Sequence, residues 1–167
     1  IPYIESLNLQ NLAFAAPDVG STNRVREVAN YFNAEMVICD KHRKRANEIA
    51  SMVVIGDVTG KDIVIIDDIC DTGGTLVKAA ALLKEKGART VRALITHPVL
   101  SGKAYENIES SVFEELVVCD TIPLKQESNK IKVLTVADLF AIAIRNAYEN
   151  KSITSLFVHS QLKARNQ

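Results

Sequence analysis

Most features that would narrow a function from composition alone are scarce in this chain. No apolar run approaches the roughly 20 residues of a membrane-spanning helix, and no secretory signal is read at its start. Formal charge cancels, with 20 basic against 20 acidic residues, so nothing global attracts nucleic acid or an anionic membrane. Cysteine is sparse. Cys39, Cys70 and Cys119 are widely spaced, odd in number, and never form a C-x-x-C pair. That argues against a zinc ribbon or a disulfide framework and for reduced, mostly buried thiols in a cytoplasmic protein. An internal repeat, a low-complexity segment and an obvious inter-domain linker are also missing. So is an initiator Met: the sequence opens IPYIESLNLQNLAF and enters a strand-like run almost at once, as expected of a piece of something longer.

What remains is enough for one domain with a real core: 167 residues, 47% of them hydrophobic. We expect a single domain over 1–150 and a tail over 151–167. "NLAFAA" (11–16) reads as a strand and "PDVGST" (17–22) as a loop. Val25, Val28, Ala29 and Phe32 recur at helical spacing. "EMVIC" (35–39) is a strand. "DKHRKRANEIAS" (40–51) has no apolar face and five consecutive basic side chains, and is expected to be a mobile loop. "MVVIG" and "DIVII" flank "DVTGK", which predicts a hairpin turning at Gly60.

Further along, Ile63–Ile66 is a buried strand by its β-branched run. Leu76, Ala79, Ala80 and Leu83 then repeat at helical spacing, with an N-cap expected at Thr75 and a stop at Gly87. Strands follow at 90–96, 115–120 and 130–136, with a helix at 102–110. Thr135 and Asp138 suggest a capping box for a last helix with Leu139, Ile142, Ala143 and Ala147 on one stripe. "ITSLFV" in the tail is expected to add a short strand. Strands alternating with helices favour an α/β fold, a largely parallel sheet covered on both faces.

The stretch "IVIIDDICDTGGTL" (63–76) carries the chemistry. In open α/β sheets ligands bind at the carboxyl ends of strands. A glycine-rich strand-to-helix turn offers backbone N–H groups and the positive end of a helix, which together suit an anion. Gly73 and Gly74 admit close approach, and Thr72 and Thr75 offer hydroxyls. Asp67 and Asp68 would repel a bare phosphate. The conflict disappears for a ligand with two ends, a phosphate for the turn and hydroxyls or bound Mg2+ for the acids. A sugar phosphate fits. The plainer reading is a polar strand end followed by a capping turn.

"VIIDDICDTGGTL" resembles the PRPP-binding motif of type I phosphoribosyltransferases and their relatives. "APDVGSTNRV", "DKHRKRANEI", "ALITHPVLSGKA" and "CDTIP" are, in order, similar to ribose-phosphate pyrophosphokinase (PRPP synthetase), over essentially the whole chain but only the C-terminal half of that family. The resemblance implies a phosphoribosyltransferase-like fold and transfer of the diphosphoryl group of MgATP to ribose 5-phosphate, giving AMP and PRPP. It implies that Asp71, Thr72, Gly73, Gly74 and Thr75 hold the 5-phosphate and that Asp67 and Asp68 hold ribose hydroxyls. Asp18 would face Mg2+ and the pyrophosphate region. There the chain departs from the family, with Ala16 where a serine precedes the proline and Ser21 in place of a second glycine.

Lys41 and Arg43 match the two catalytic basic positions of the family's flexible loop. Phosphoryl transfer depends on charge stabilisation around phosphorus, which a lysine and an arginine supply in different geometries. A solvated basic loop is the alternative, and the run has no interleaved aromatic for stacking on bases. His97 is read as a satisfied histidine before a proline turn, because the family's metal-binding histidine belongs to the other half. The family further implies hexamers. The chain alone is expected to be inactive, because the ATP surface lies largely in the other half. A non-catalytic regulatory subunit and a PRPP-using phosphoribosyltransferase are the competing readings.

Overall fold

The computed structural model describes residues 1–42 and 51–157. Its strands are β1 (Leu12–Ala16), β2 (Glu35–His42), β3 (Ser51–Ile55), β4 (Asp62–Cys70), β5 (Thr90–Pro98), β6 (Glu115–Cys119) and β7 (Ile131–Leu134). Its helices are α1 (Pro2–Ser6), α2 (Thr22–Phe32), α3 (Gly74–Glu85), α4 (Ala104–Glu109) and α5 (Ala137–Tyr148). One sheet runs β3-β2-β1-β4-β5-β6-β7, parallel throughout except for β3, which pairs antiparallel to β2.

The β-branched run of β4 is buried from both sides. Ile63 and Ile65 join Ala79, Leu83 and Ile108 in the core beneath α3 and α4. Val64 and Ile66 join Ile4, Val25 and Ala29 beneath α1 and α2. A strand buried on both faces has no polar alternation, which is why it reads as one apolar run. Burying one such side chain contributes about 1.5–3 kcal/mol. The α3 stripe Leu76, Ala79, Ala80 and Leu83 is buried as its spacing predicts. Gly87 ends that helix: its N–H bonds Lys84 O, and Ala88 N–H bonds Leu83 O, both at 3.0 Å. This pair of bonds needs the left-handed backbone that Gly87 adopts (φ +97°).

Several expectations are corrected. The hairpin is β2–β3, not β3–β4. Both edges of β4 are already taken by β1 and β5, so only the outer edge of β2 is left for β3. Gly60 does occupy a turn, but that turn crosses back to β4, tied down by Gly60 N–H on Gly87 O at 2.8 Å. β2 runs to His42, so Asp40 to His42 are strand, while 43–50 lie outside the described residues. Thr75 lies inside α3, whose N-cap is Gly73. Thr135 precedes the N-cap of α5, Val136, and its Oγ1 accepts from Ala137 N–H at 3.2 Å. No residue of α5 is buried: Leu139 and Ile142, on the expected stripe, are about half exposed. Thr154–Leu156 forms a 3-10 turn where a strand was expected.

The parallel pairing brings the carboxyl ends of β1, β2, β4 and β5 to one edge of the sheet. β2 outruns β1 there. Ala16, the last residue of β1, pairs with Ile38, and β2 continues from Cys39 to His42, about 13 Å of extended chain.

Candidate functional site

At that edge β4 hands the chain to α3 through Asp71–Gly73. A left-handed backbone is required at Gly73 (φ +73°), which is also the N-cap of α3. An added Cβ there would meet only ordinary contacts, the nearest being Ile108 Cγ1 at 3.7 Å, so conformation rather than space calls for glycine. Gly74 is different. Its backbone is ordinary and an added Cβ would meet nothing nearer than Thr72 Oγ1 at 3.8 Å. The room beside it is the cleft itself. No side chain caps α3, so the N–H groups of its first turn have no acceptor within the helix. They open onto a cleft of about 220 Å3 lined by the whole Asp71–Leu76 turn together with Pro17, Asp18 and Asp67.

The turn residues, Asp67 and Asp18 are thus gathered around one cavity. Asp68, their neighbour on β4, lines an adjoining cleft with Asp18, Ser21 and Arg24. The two adjacent carboxyls are shifted in opposite directions. Burial pushes the Asp67 carboxyl up, and the charges of Asp68 and Asp18 add to this, against a hydrogen bond from Asp68 N–H and the charge of Arg24. Burial also opposes ionisation of Asp68, but Arg24 outweighs it and holds that carboxyl below the usual range. Arg24 spans the pair, Nη1 donating to Asp67 Oδ1 at 3.2 Å and Nη2 to Asp68 Oδ2 at 2.7 Å.

Asp18 is itself held by its loop: its Oδ1 accepts from Ser21 N–H and its carbonyl from Ser21 Oγ, both at 3.0 Å. Among the described residues no three His, Cys, Asp or Glu side chains converge to cage a metal. What Asp18 and Asp67 offer is a shared cleft with one or two hard oxygen ligands. That donor set fits Mg2+ arriving on a phosphorylated substrate rather than a resident ion in a protein cage.

Lys41 lies in the part of β2 that outruns β1, its backbone paired with Met52. Arg43 lies outside the described residues, as do His159 and most of the basic run. His97 is exposed and its Nδ1 meets Thr121 Oγ1 at 3.0 Å, as a satisfied histidine should. Cys39, Cys70 and Cys119 are free. Burial pushes the Cys39 and Cys70 thiols up to about 11, which removes them as nucleophiles near neutral pH.

Three side chains at the site escaped sequence reasoning: Arg24, and two that brace the turn, Ser101 on Asp71 and Asn107 on Thr72. Arg24 did leave a signal. A cation in the first turn of a helix opposes the helix dipole, and it is tolerable where carboxylates face it.

Residues 18–158 match the phosphoribosyl synthetase-associated domain family. A ribose-phosphate pyrophosphokinase of Wolinella succinogenes is 53% identical over 93% of this chain and 50% of its own length. That of Campylobacter jejuni is 52% identical over the same shares. The chain spans about half the length of the curated relatives it matches. The crystal structure of phosphoribosylpyrophosphate synthetase from Mycobacterium smegmatis superposes with a TM-score of 0.81 at 31% identity, covering 89% of this chain and 49% of that one. A purine phosphoribosyltransferase of Pyrococcus horikoshii shares the fold alone, with a TM-score of 0.51 at 15% identity.

Proposed function

The chain belongs to the phosphoribosyl synthetase-associated domain family, and from that premise we propose that it is the ribose 5-phosphate-binding half of a ribose-phosphate pyrophosphokinase. The reaction is transfer of the β,γ-diphosphoryl group of ATP to the C1 hydroxyl of ribose 5-phosphate, releasing AMP. Residues 1–150 form one domain of that enzyme and 151–167 its tail. By itself the chain is expected to be inactive, because the ATP surface is completed by the other half and by neighbouring subunits of a homo-oligomer, a hexamer in the family.

One observation carries the reading. The uncapped start of α3, the Asp71–Thr75 turn, Asp67 and Asp18 all face a single cleft of sugar-phosphate size. In the proposed arrangement the 5-phosphate sits on the amides and hydroxyls of Asp71, Thr72, Gly73, Gly74 and Thr75. Asp67 and Asp68 accept hydrogen bonds from the ribose hydroxyls, beside the Arg24 guanidinium that spans the pair. Asp18 and Asp67 would hold Mg2+, which supplies charge neutralisation to the diphosphoryl group when ATP is bound. Lys41 and Arg43 bring positive charge to the oxygens around phosphorus in the transition state. The free thiols accord with a cytoplasmic setting. Among the described residues no helix is long and apolar enough to cross a membrane.

The test is calorimetric titration with ribose 5-phosphate and Mg2+, beside Gly74→Val. The valine would fill the cleft without straining the backbone, so it should abolish binding and leave thermal stability nearly unchanged. Equal binding by both proteins would refute the placement of the phosphate.

A further inference from the structure

We propose that Ser101 and Asn107 are positioning residues of the anion turn, holding it from outside so that its amides meet the phosphate; the phosphate is that of the function proposed above. Both belong to "VLSGKAYEN", a stretch without an assigned role. Its first residues link β5 to α4 and run alongside the end of β4, and Asn107 lies within α4. Leu100 N–H donates to Cys70 O, and Ser101 N–H to Asp71 O, both at 3.1 Å. Ser101 Oγ donates to Asp71 Oδ1. Asn107 Nδ2 donates to Thr72 O at 3.0 Å. Three successive carbonyls, the last of β4 and the first two of the turn, are therefore anchored on the β5–α4 side.

The peptide unit is planar and trans, so a fixed carbonyl sends the N–H of the next residue the opposite way. Fixing Asp71 O sets the amide of Thr72, fixing Thr72 O sets that of Gly73, which turns to the Cys70 thiol, and the two together set the entry into α3. That helix has no side-chain cap to do this itself. Ser101 performs a second task. Asp71 lines the same cleft as the turn, and its carboxylate would repel a phosphate there. The serine hydroxyl engages one of its oxygens.

The bracing loop is over-determined. Leu100 holds a left-handed backbone (φ +47°) although it is not glycine, and its side chain is 2% exposed. A branched side chain keeps that conformation only where its surroundings enforce it. Its N–H bond to Cys70 O and its burial in the core beneath α3 and α4 supply the enforcement.

Ser101→Ala and Asn107→Ala test this, with Ser101→Thr as the variant that keeps the hydroxyl. Backbone order parameters are read at Thr72–Thr75, with Phe14 and Val64 as core controls. Titrations use ribose 5-phosphate and, separately, ribose. We expect the turn to fall from the rigid range of about 0.85 to below about 0.6 in both alanine variants, with the controls unmoved. Ribose 5-phosphate should bind about tenfold more weakly, ribose should be unaffected, and Ser101→Thr should behave as the parent. An unchanged turn would overturn the proposal. So would equal loosening of turn and core, which is general destabilisation. If the unmodified chain fails to bind ribose 5-phosphate while the turn still loosens in the variants, the positioning role stands and the functional reading falls.

Discussion

Asp62 opens β4 and Asp67 lies towards its carboxyl end, and their carboxyls are shifted in opposite directions. Asp62 is 3% exposed and fully satisfied. It accepts from Arg89 Nε at 2.9 Å, Thr90 Oγ1 at 2.7 Å and Gln10 N–H at 2.9 Å, and pairs again with Arg89 Nη2. Burial opposes its charge, yet these partners draw its pKa down to about 2. Asp67 has Arg24, one backbone N–H and two like charges nearby, and its carboxyl is pushed up. Residue type is the same, and so is the strand. The saturated end has nothing left to offer a ligand and serves the fold. The unsaturated end holds an unsettled charge that a ligand can settle. Perturbed groups gather at binding sites for this reason, although Asp62 shows that a large shift alone does not mark one.

The contrast can be broken at its stable end first. Asp62→Ala leaves Arg89, Thr90 and Gln10 without their acceptor and should destabilise the fold by about 3 kcal/mol, read by urea unfolding. Affinity for ribose 5-phosphate per folded molecule should not change. The next effect is in pH. The depressed pKa of Asp62 contributes about 2 kcal/mol that is fully present above about pH 4 and lost as pH falls towards 2. Asp67, raised, has the opposite sign: the folded state holds its proton more tightly, so the fold gains as pH falls through that pKa. Unfolding midpoints of Asp62→Asn across this range should therefore lack the parent's acid loss. Persistence of the same loss would assign it to other carboxylates.

At the binding end, Asp67→Asn should weaken ribose 5-phosphate binding by about 2 kcal/mol. Its stability should match or slightly exceed the parent's, because a like charge beside Asp68 and Asp18 is gone. A destabilised variant would show Asp67 to be structural after all. The smallest effect belongs to Arg24→Met. This side chain is 41% exposed, so stability should change by less than about 1 kcal/mol. The Asp68 carboxyl should move up towards its ordinary range in an NMR titration.

How far the sequence could be read followed from how local each feature is. The β4 run, the α3 stripe, its stop at Gly87 and the Asp71–Thr75 turn are contiguous, and each was legible from its own residues. The partner of β3 was not, because strand choice depends on which edges remain free once β1 and β5 have taken β4. The cap of α3 was misplaced by two residues, since a serine or threonine is the usual signal and here a left-handed glycine does the work. The α5 stripe had the right period but is not buried: periodicity reports a face, not what lies against it. Arg24, Ser101 and Asn107 reach their partners Asp67, Asp71 and Thr72 from 43, 30 and 35 residues away. No spacing rule spans such separations.

The pairing of β4 has a consequence for how this gene segment can vary. Between its two ends Ile63 and Ile65 face one core and Val64 and Ile66 the other, and parallel neighbours lock the register on both edges. Deleting a single codon within that run would exchange the two faces and draw Asp67 one place out of step with the turn it serves. Substitutions here can be graded by size and charge, whereas a length change has no mild form. In alignments of homologues this strand should tolerate altered letters and show no gaps.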